Sequence, residues 1–276
     1  MRRFFWHAPV MMLFVLATTR VYAQDAMRGM DRHAMPMQDA GASSEIRSPD
    51  YSGDIGDGPM TGMDMRGDAP LGMLLFDRLE YFDGRDDHGA AFDMQAWYGN
   101  GANKLWLKAE GETAAGRLRD LRVEALWDRP VGAFWDMQAG VRHDAGIGPD
   151  RNWAAFGVQG LAPYGFELQA TVYVGQSGRT ALRFESEYEL LLTQRLILQP
   201  RFEANLYGRA DPQRRIGSGL SDAALGLRLR YEFSRQLAPY LGVEFERRFG
   251  ETATLARDAG EPAFDARLVA GLRLWF

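Results

Sequence analysis

Seven of the chain's 13 methionines lie between residues 24 and 65, in two closely spaced clusters. Thioether sulfur is a soft ligand that suits Cu(I), and imidazole also binds copper. Spacings of two and three residues allow several of these groups to reach one ion in a flexible chain. The sequence therefore predicts a copper-binding segment, with Cu(I) favoured, whose candidate ligands are Met27, Met30, His33, Met35, Met37, Met60, Met63 and Met65.

The residues around these clusters do not belong to a folded core. Methionine normally fills hydrophobic interiors, but residues 24–70 contain only two branched aliphatic side chains, Ile46 and Ile55. Such a segment cannot bury enough apolar surface to offset its chain entropy, so it is predicted to be disordered. Sacrificial oxidation of the methionines, and their chance accumulation in a weakly constrained linker, are the alternatives to metal binding.

Composition excludes several other kinds of chemistry. The chain has no cysteine, which removes disulfide scaffolds, zinc ribbons, iron–sulfur clusters and thiolate nucleophiles. It carries 37 acidic against 32 basic residues. That balance argues against a nucleic-acid partner, because such proteins need a basic face to displace counterions from phosphates.

The first 23 residues have the pattern of a secretory signal peptide. Arg2 and Arg3 precede an apolar run from Phe4 to Ala17, and Val21-Tyr-Ala23 supplies a small-residue cleavage site. A membrane anchor is the alternative, but the run is short and is interrupted by His7 and Pro9. No later run reaches 18 apolar residues, which leaves a periplasmic protein, a secreted protein or an outer-membrane barrel.

From Leu71 onward, apolar and polar residues alternate with period two, as in Leu225, Leu227 and Leu229 against Arg228 and Arg230. The alternation defines twelve candidate strands, near residues 71–82, 90–99, 103–112, 116–129, 132–144, 151–161, 164–175, 179–191, 194–207, 216–232, 236–249 and 263–276. A soluble β-sandwich would alternate too, but its strands average about 5 to 6 residues. Strands of about 10 residues or more suit a bilayer crossing, and an even number closes a bacterial barrel.

The predicted fold is all-β: a transmembrane antiparallel up-and-down β-barrel of about 12 strands over residues 71–276. Residues 1–23 are the predicted signal peptide and residues 24–70 the methionine-rich periplasmic segment. Aromatic residues at strand ends are expected to form interfacial girdles; they are Tyr81, Phe82, Trp127, Tyr164, Phe233, Tyr240, Phe249 and Trp275. Pro200 falls inside a strand, where a bulge or an altered register is expected because proline cannot donate to the ladder.

Alternation also predicts which charged residues face the lumen: Lys108, Glu110, Asp120, Arg122, Glu124, Asp136, Arg142, Glu167, Arg183, Glu185, Glu187, Glu189, Arg195, Arg201, Glu203, Arg228, Arg230, Glu232, Glu244, Glu246, Arg248, Asp265, Arg267 and Arg273. Mixed charges in a narrow barrel usually pair across strands. A cation path along Glu185, Glu187 and Glu189 is the alternative. Carboxylates are hard donors, so these residues are not predicted to be copper ligands.

At this point the barrel region resembles a known family, the copper resistance protein B family of Gram-negative outer membranes. The resemblance covers about residues 72–276 and rests on long stretches such as Gly157-Val-Gln-Gly-Leu-Ala-Pro-Tyr164, Leu190-Leu-Leu-Thr-Gln-Arg-Leu-Ile-Leu-Gln-Pro200, Gly226-Leu-Arg-Leu-Arg-Tyr-Glu232, Leu237-Ala-Pro-Tyr-Leu-Gly-Val-Glu244 and Arg247-Arg-Phe-Gly-Glu-Thr-Ala253. It implies an outer-membrane location, copper binding and copper tolerance, with a Met/His-rich segment before the barrel. Here His33 is the only histidine of that segment, which favours Cu(I) further.

Two further functions compete with this expectation. A general small-solute porin would have a barrel without the methionine segment. An outer-membrane lipid hydrolase would need a His and a Ser in contact, but His143 and Ser186 fall on the fifth and eighth predicted strands, about 14 Å apart. The chain is therefore predicted not to be an enzyme. Its expected partners are outer-membrane lipid, copper ions and a periplasmic copper oxidase or carrier.

Overall fold

The computed structural model of this chain describes residues 70–85 and 87–276. The predicted signal peptide and all eight candidate copper ligands lie outside the described residues. Thirteen strands and one helix follow in chain order: β1 (Leu71–Asp83), β2 (His88–Gly99), β3 (Lys104–Ala114), β4 (Arg117–Pro130), β5 (Trp135–Gly146), β6 (Arg151–Ala162), β7 (Phe166–Gly175), β8 (Thr180–Glu187), β9 (Leu190–Leu191), β10 (Leu196–Tyr207), β11 (Gly219–Tyr231), β12 (Leu237–Arg248), α1 (Gly250–Asp258) and β13 (Phe264–Trp275).

These strands form one closed antiparallel barrel. Each strand pairs with its neighbours in the chain, and β1 also pairs with β13 from Leu75↔Trp275 to Asp83↔Leu268. The two-residue β9 continues the line of β8 and pairs with the same neighbour, β10. The two segments together occupy one strand position, so the barrel is twelve-stranded. The predicted twelve-stranded up-and-down barrel is confirmed. Closure leaves no unpaired sheet edge, as a sheet surrounded by lipid requires.

Pro200 interrupts a strand without shifting its register. Glu187 lies opposite Arg201 and Leu190 opposite Leu198, so the pairing continues in step across the gap between β8 and β9. The Tyr188 amide donates to the Pro200 carbonyl at 3.1 Å, but proline has no N–H for the return bond. The expected bulge or altered register at Pro200 is therefore wrong, because the missing hydrogen bond only divides the neighbouring strand in two.

Apolar side chains cover the outside of the barrel. Among the most exposed are Leu241, Leu268 and Val141, each more than 60% exposed. Of the predicted aromatic girdle, five residues lie outside as expected: Tyr81, Trp127, Tyr164, Phe233 and Trp275. Phe82 and Tyr240 are instead buried, at 1% and 5% exposure. They contact lumen charges, since the Arg267 guanidinium lies over the Phe82 ring and the Tyr240 hydroxyl donates to Glu80.

The two ends of the barrel differ. One end, which we call the turn end, carries only short connections, at 100–103, 131–134, 163–165, 192–195 and 232–236. The other, the loop end, carries short connections after β1, β3, β5 and β7 and two long ones, at 208–218 and 249–263. The second of these contains α1, which alternation did not predict. Thr252, Ala253 and Ala256 of α1 are buried against the barrel mouth, and Thr252 Oγ1 accepts the Gly217 amide at 2.8 Å. Among the described residues, no helix is long and apolar enough to cross a membrane.

Candidate functional site

The lumen is crossed by ion pairs that join opposite sides of the barrel. Arg183 on β8 binds Glu110 on β3, with Arg183 Nη2 2.8 Å from Glu110 Oε2, although four strands lie between them around the barrel. Glu110 also accepts from Arg122 at 2.5 Å. A rigid fork of five N–H donors lets one arginine engage carboxylates on different strands. These pairs therefore cross the middle of the lumen.

A second set of contacts spans the lumen beside the first. Arg201 on β10 reaches Asp93 on β2 at 3.3 Å and Glu185 on β8 at 3.0 Å. Arg228 makes two bonds to Glu80, at 3.1 and 2.9 Å. Arg201, Asp93, Arg228 and Glu80 are all 9% exposed or less. Paired charges of this kind tolerate burial because the guanidinium donors meet anionic acceptors at hydrogen-bond distance.

One irregularity in β1 adds two charges to the lumen that strict alternation would separate. The register of β1 shifts between Phe76 and Arg78 against β2, and between Phe76 and Leu79 against β13. As a result the adjacent residues Asp77 and Arg78 both bind lumen groups. Asp77 forms an ion pair with Arg273 at 2.9 Å, and Arg78 donates to Asp93 at 3.4 Å. A β-bulge inserts one extra residue and re-aims the side chains beside it.

The turn end of the lumen holds the chain's only two lysines, Lys104 and Lys108. Both lie on β3 and face inward, and both ammonium groups lie within about 6 Å of the Trp106 ring. Lys104 is paired with Asp128 at 3.6 Å and with Asp136 at 3.5 Å. Lys108 instead donates to glutamine side chains on β5, β6 and β7. The turn end is therefore chemically different from the arginine-rich middle of the barrel.

A polar cavity lies toward the loop end. It has a volume of about 320 Å³, and its lining includes Glu80, Glu110, Arg122, Asp222 and Arg267 as well as Thr252 of α1. Both signs of charge line it, so it is suited to water and small polar solutes rather than to an apolar ligand. The ion pairs in the middle of the lumen line part of this cavity.

Two carboxylates outside the strands hold the loop-end connections in place. The guanidinium of Arg151 hydrogen-bonds Asp211 at 2.7 Å and lowers the pKa of that carboxyl below its usual value. Burial tends to raise the pKa of Glu261, but Arg248 and Arg215, each 2.6 Å away, more than offset it and the pKa is lowered. Both groups are therefore anionic at neutral pH and tie their loops to basic side chains.

Most of the predicted lumen residues do face inward, but the cation path along β8 is not supported. Glu185 is bound to Arg183 and Arg201, Glu187 to Gln199, and Glu189 to Arg230 and Arg273. Arg195, predicted to be inward, is exposed in the turn before β10. The predicted set left out several inward residues, namely Asp77, Arg78, Glu80, Asp93, Lys104, Glu112, Asp128 and Asp144.

The described residues offer a poor fit to copper. They contain no group of three or more His, Asp or Glu side chains arranged to hold a metal ion. Met137 is 43% exposed on the outer face. The side chain of His143 is also exposed and contacts Asn152 at 2.8 Å. The donors that converge in the lumen are carboxylates, many of them already bound to arginine, and carboxylates are hard ligands.

An apolar outer belt around a charge-filled, closed antiparallel sheet defines a transmembrane β-barrel of the outer-membrane type. The fold agrees with a solved barrel, the NanC porin, at a TM-score of 0.50 and 12% identity, over 73% of this chain and 98% of that one.

The sequence comparisons identify the family within this class. The family model described as "Copper resistance protein B precursor (CopB)" matches residues 71–276. Copper resistance protein B homolog of Pseudomonas syringae pv. tomato is 43% identical over 258 residues, covering 91% of this chain and 88% of the relative. Copper resistance protein B of Escherichia coli is 42% identical over 204 residues, 74% of this chain and 69% of the relative. The chain belongs to the copper resistance protein B family.

Proposed function

We propose that this protein contributes to copper resistance from the outer membrane by binding Cu(I) in its methionine-rich segment. The family supports the role in copper resistance and the association with copper. The observation that carries the assignment to the segment is the chemistry of the lumen, whose charged donors are hard carboxylates held by arginines, by Lys104 or by neutral polar side chains. Soft donors are concentrated instead in Met27, Met30, His33, Met35, Met37, Met60, Met63 and Met65.

In this proposal the barrel anchors the segment at the membrane. β1 begins at the turn end, and short turns face the periplasm in bacterial barrels, so residues before Leu71 are assigned to the periplasm. There the two clusters take up Cu(I) through exchangeable thioethers. A periplasmic copper oxidase or carrier is the proposed exchange partner. Because ion pairs cross the lumen, the proposal favours sequestration of the ion over its export through the barrel.

Deletion of residues 24–70, with the signal peptide kept, tests this proposal. We expect Cu(I) stoichiometry to fall to background and copper tolerance of the cells to fall with it, while the barrel still reaches the outer membrane. The matched control replaces residues 24–70 by a Gly/Ser linker of equal length, which keeps the spacing and removes the ligands. Unchanged copper binding by the deleted protein would move the metal site into the barrel and end the proposal.

Copper flux through liposomes that contain the intact protein separates sequestration from export. Sequestration predicts retained copper with no flux above empty liposomes. Measured flux would favour export and would leave the binding assignment to be judged by the deletion alone.

A further inference from the structure

Lys108 occupies a cage made of neutral oxygens in the turn-end half of the lumen. Its Nζ donates to Gln169 Oε1 at 2.8 Å, Gln159 Oε1 at 3.3 Å and Gln138 Oε1 at 3.4 Å. An ammonium group has three donors, so the three amide oxygens satisfy it completely. The Trp106 ring lies 5.7 Å away and adds a cation–π contact.

A neighbouring carboxylate fixes the orientation of two of these glutamines. Asp128 is fully buried, and its Oδ2 accepts from Gln138 Nε2 at 2.9 Å and from Gln159 Nε2 at 3.2 Å. A carboxylate only accepts, so each amide must turn its NH₂ group to Asp128 and its carbonyl oxygen to Lys108. The cage is thus built for a cation, with its oxygens oriented in advance.

The charge at the centre of the cage has no direct counter-ion. Within the part of the chain that the structure describes, no carboxylate oxygen lies within 4.0 Å of the Lys108 ammonium. Lys104, four residues earlier on the same strand face, contacts two carboxylates. The free space beside Lys108 is a cavity of about 30 Å³, which holds about two water molecules. Carboxylates such as Glu124 and Glu185 line this cavity without contacting the ammonium. A cation moving along the lumen would therefore meet a fixed ammonium that no carboxylate contacts, in a narrow passage.

We propose that Gln138, Gln159 and Gln169 form a small-cation site in the lumen, that the ammonium of Lys108 occupies this site as a tethered cation, and that this ammonium bars free cations from crossing the barrel. Fixed lysine and arginine charges in narrow pores exclude cations in this way. The site concerns the lumen alone. The proposal does not depend on where the protein binds copper.

Ion currents of the full-length protein in planar lipid bilayers, measured with potassium chloride, test the proposal. In Lys108→Ala we expect the potassium conductance to rise at least about tenfold over the wild type. We also expect n-propylammonium chloride to return it toward the wild-type level, because this ion restores the missing end of the side chain. The matched control is Lys104→Ala, which removes the same charge from the same strand and should give no current that propylammonium blocks.

Each alternative outcome contradicts the proposal. Equal currents in wild type and Lys108→Ala would show that the ammonium is no barrier. A raised current that propylammonium does not reduce would show that the glutamines do not bind a cation, and equal behaviour of the Lys104 variant would remove the assignment to this cage. Heat-dependent gel migration verifies that each variant is a folded barrel.

Lys108→Met provides a second variant if Lys108→Ala does not fold. It keeps the apolar stem against Trp106 and removes only the charged end. The reversal potential in a potassium chloride gradient should then shift toward the potassium equilibrium potential. An unshifted reversal potential would contradict the proposal.

Discussion

The methionine-rich segment and the barrel lumen carry opposite kinds of metal chemistry in one chain. Residues 24–65 contain seven thioethers and one imidazole, which are soft or borderline donors. The lumen contains arginines and carboxylates, whose oxygens are taken up by guanidinium groups at distances such as 2.7 Å between Arg228 and Glu244. The comparison teaches that abundant carboxylates do not make a metal site when their oxygens are already engaged by guanidinium groups and other polar side chains.

The lumen charges have a structural reason of their own. The inner face of a barrel needs polar residues to complement the apolar outer face, and a narrow lumen forces those residues into contact. Isolated charges there would be costly, so carboxylates are accompanied by arginine forks that join several strands. The chain has 32 basic residues of which only Lys104 and Lys108 are lysine, in keeping with this bridging role.

The largest expected effect is on Cu(I) binding, and it distinguishes the methionines of the segment from those of the barrel. Replacing Met27, Met30, Met35, Met37, Met60, Met63 and Met65 together by Leu should reduce Cu(I) binding to background, because leucine keeps the apolar volume and lacks the thioether. Bound Cu(I) is measured by competition with a chromophoric chelator on the purified protein.

The matched control for this experiment lies in the barrel. Met94→Leu with Met137→Leu should leave the Cu(I) stoichiometry unchanged, since both residues follow the outward alternation of their strands. Loss of copper from the barrel pair, or full binding by the seven-residue variant, would reverse the comparison between the two regions.

A smaller effect is expected from breaking the lumen network. Arg228→Met leaves Glu80 and Glu244 without their shared guanidinium, and removing one partner of a buried pair typically costs about 3–5 kcal/mol. Urea unfolding of the barrel in lipid vesicles measures this loss, and Cu(I) stoichiometry should not change. Arg195→Met, at an exposed turn position, should cost less than about 0.5 kcal/mol. Equal stability of the two variants would show that the crossed ion pairs do not stabilise the barrel.

The smallest effect concerns the loop end. The folded pKa of Glu261 is below its unfolded value, so its contacts with Arg248 and Arg215 stabilise the folded state fully above about pH 5. The stabilisation is lost as the pH falls from the ordinary pKa of a glutamate through the lowered pKa of the folded state. Protection factors for amide hydrogen exchange in α1 should therefore drop about fivefold more in wild type than in Glu261→Gln over this interval. The same drop in both proteins would mean that Glu261 does not anchor this loop.

Alternation predicted the strand boundaries closely because every strand of the barrel has one lipid-facing and one lumen-facing side. The first predicted strand, 71–82, is observed as Leu71–Asp83, and the tenth, 216–232, as Gly219–Tyr231. The errors fall where alternation carries no information. It could not show the register shift beside Asp77, and it could not separate Phe82 from the outward aromatics, because an aromatic ring also packs under a lumen arginine.

The candidate site was predicted only in part. Inward parity identified Arg183 and Glu110 separately, but a sequence contains no signal that these two residues meet across four intervening strands. The glutamines around Lys108 carry no charge, and the sequence does not mark them as part of a site. Amide side chains are common, and their role depends on the groups that they face. Helix α1 lies in a loop where strand periodicity stops, so its packing against Gly217 and Ser221 required the structure.

The sequence by itself determined that this chain is a β-barrel with a charged interior, that it has no thiol chemistry, and that its soft donors precede the barrel. These properties follow from residue type and period-two order, which are local. The tertiary structure decided which charges meet, that Glu185 and Glu189 are paired with arginines, and that Lys108 lies among three glutamines with its charge unpaired by any carboxylate among the described residues. Closing the sheet brings distant strands face to face across a narrow lumen. The side-chain contacts between them depend on the register and tilt of all twelve strands together.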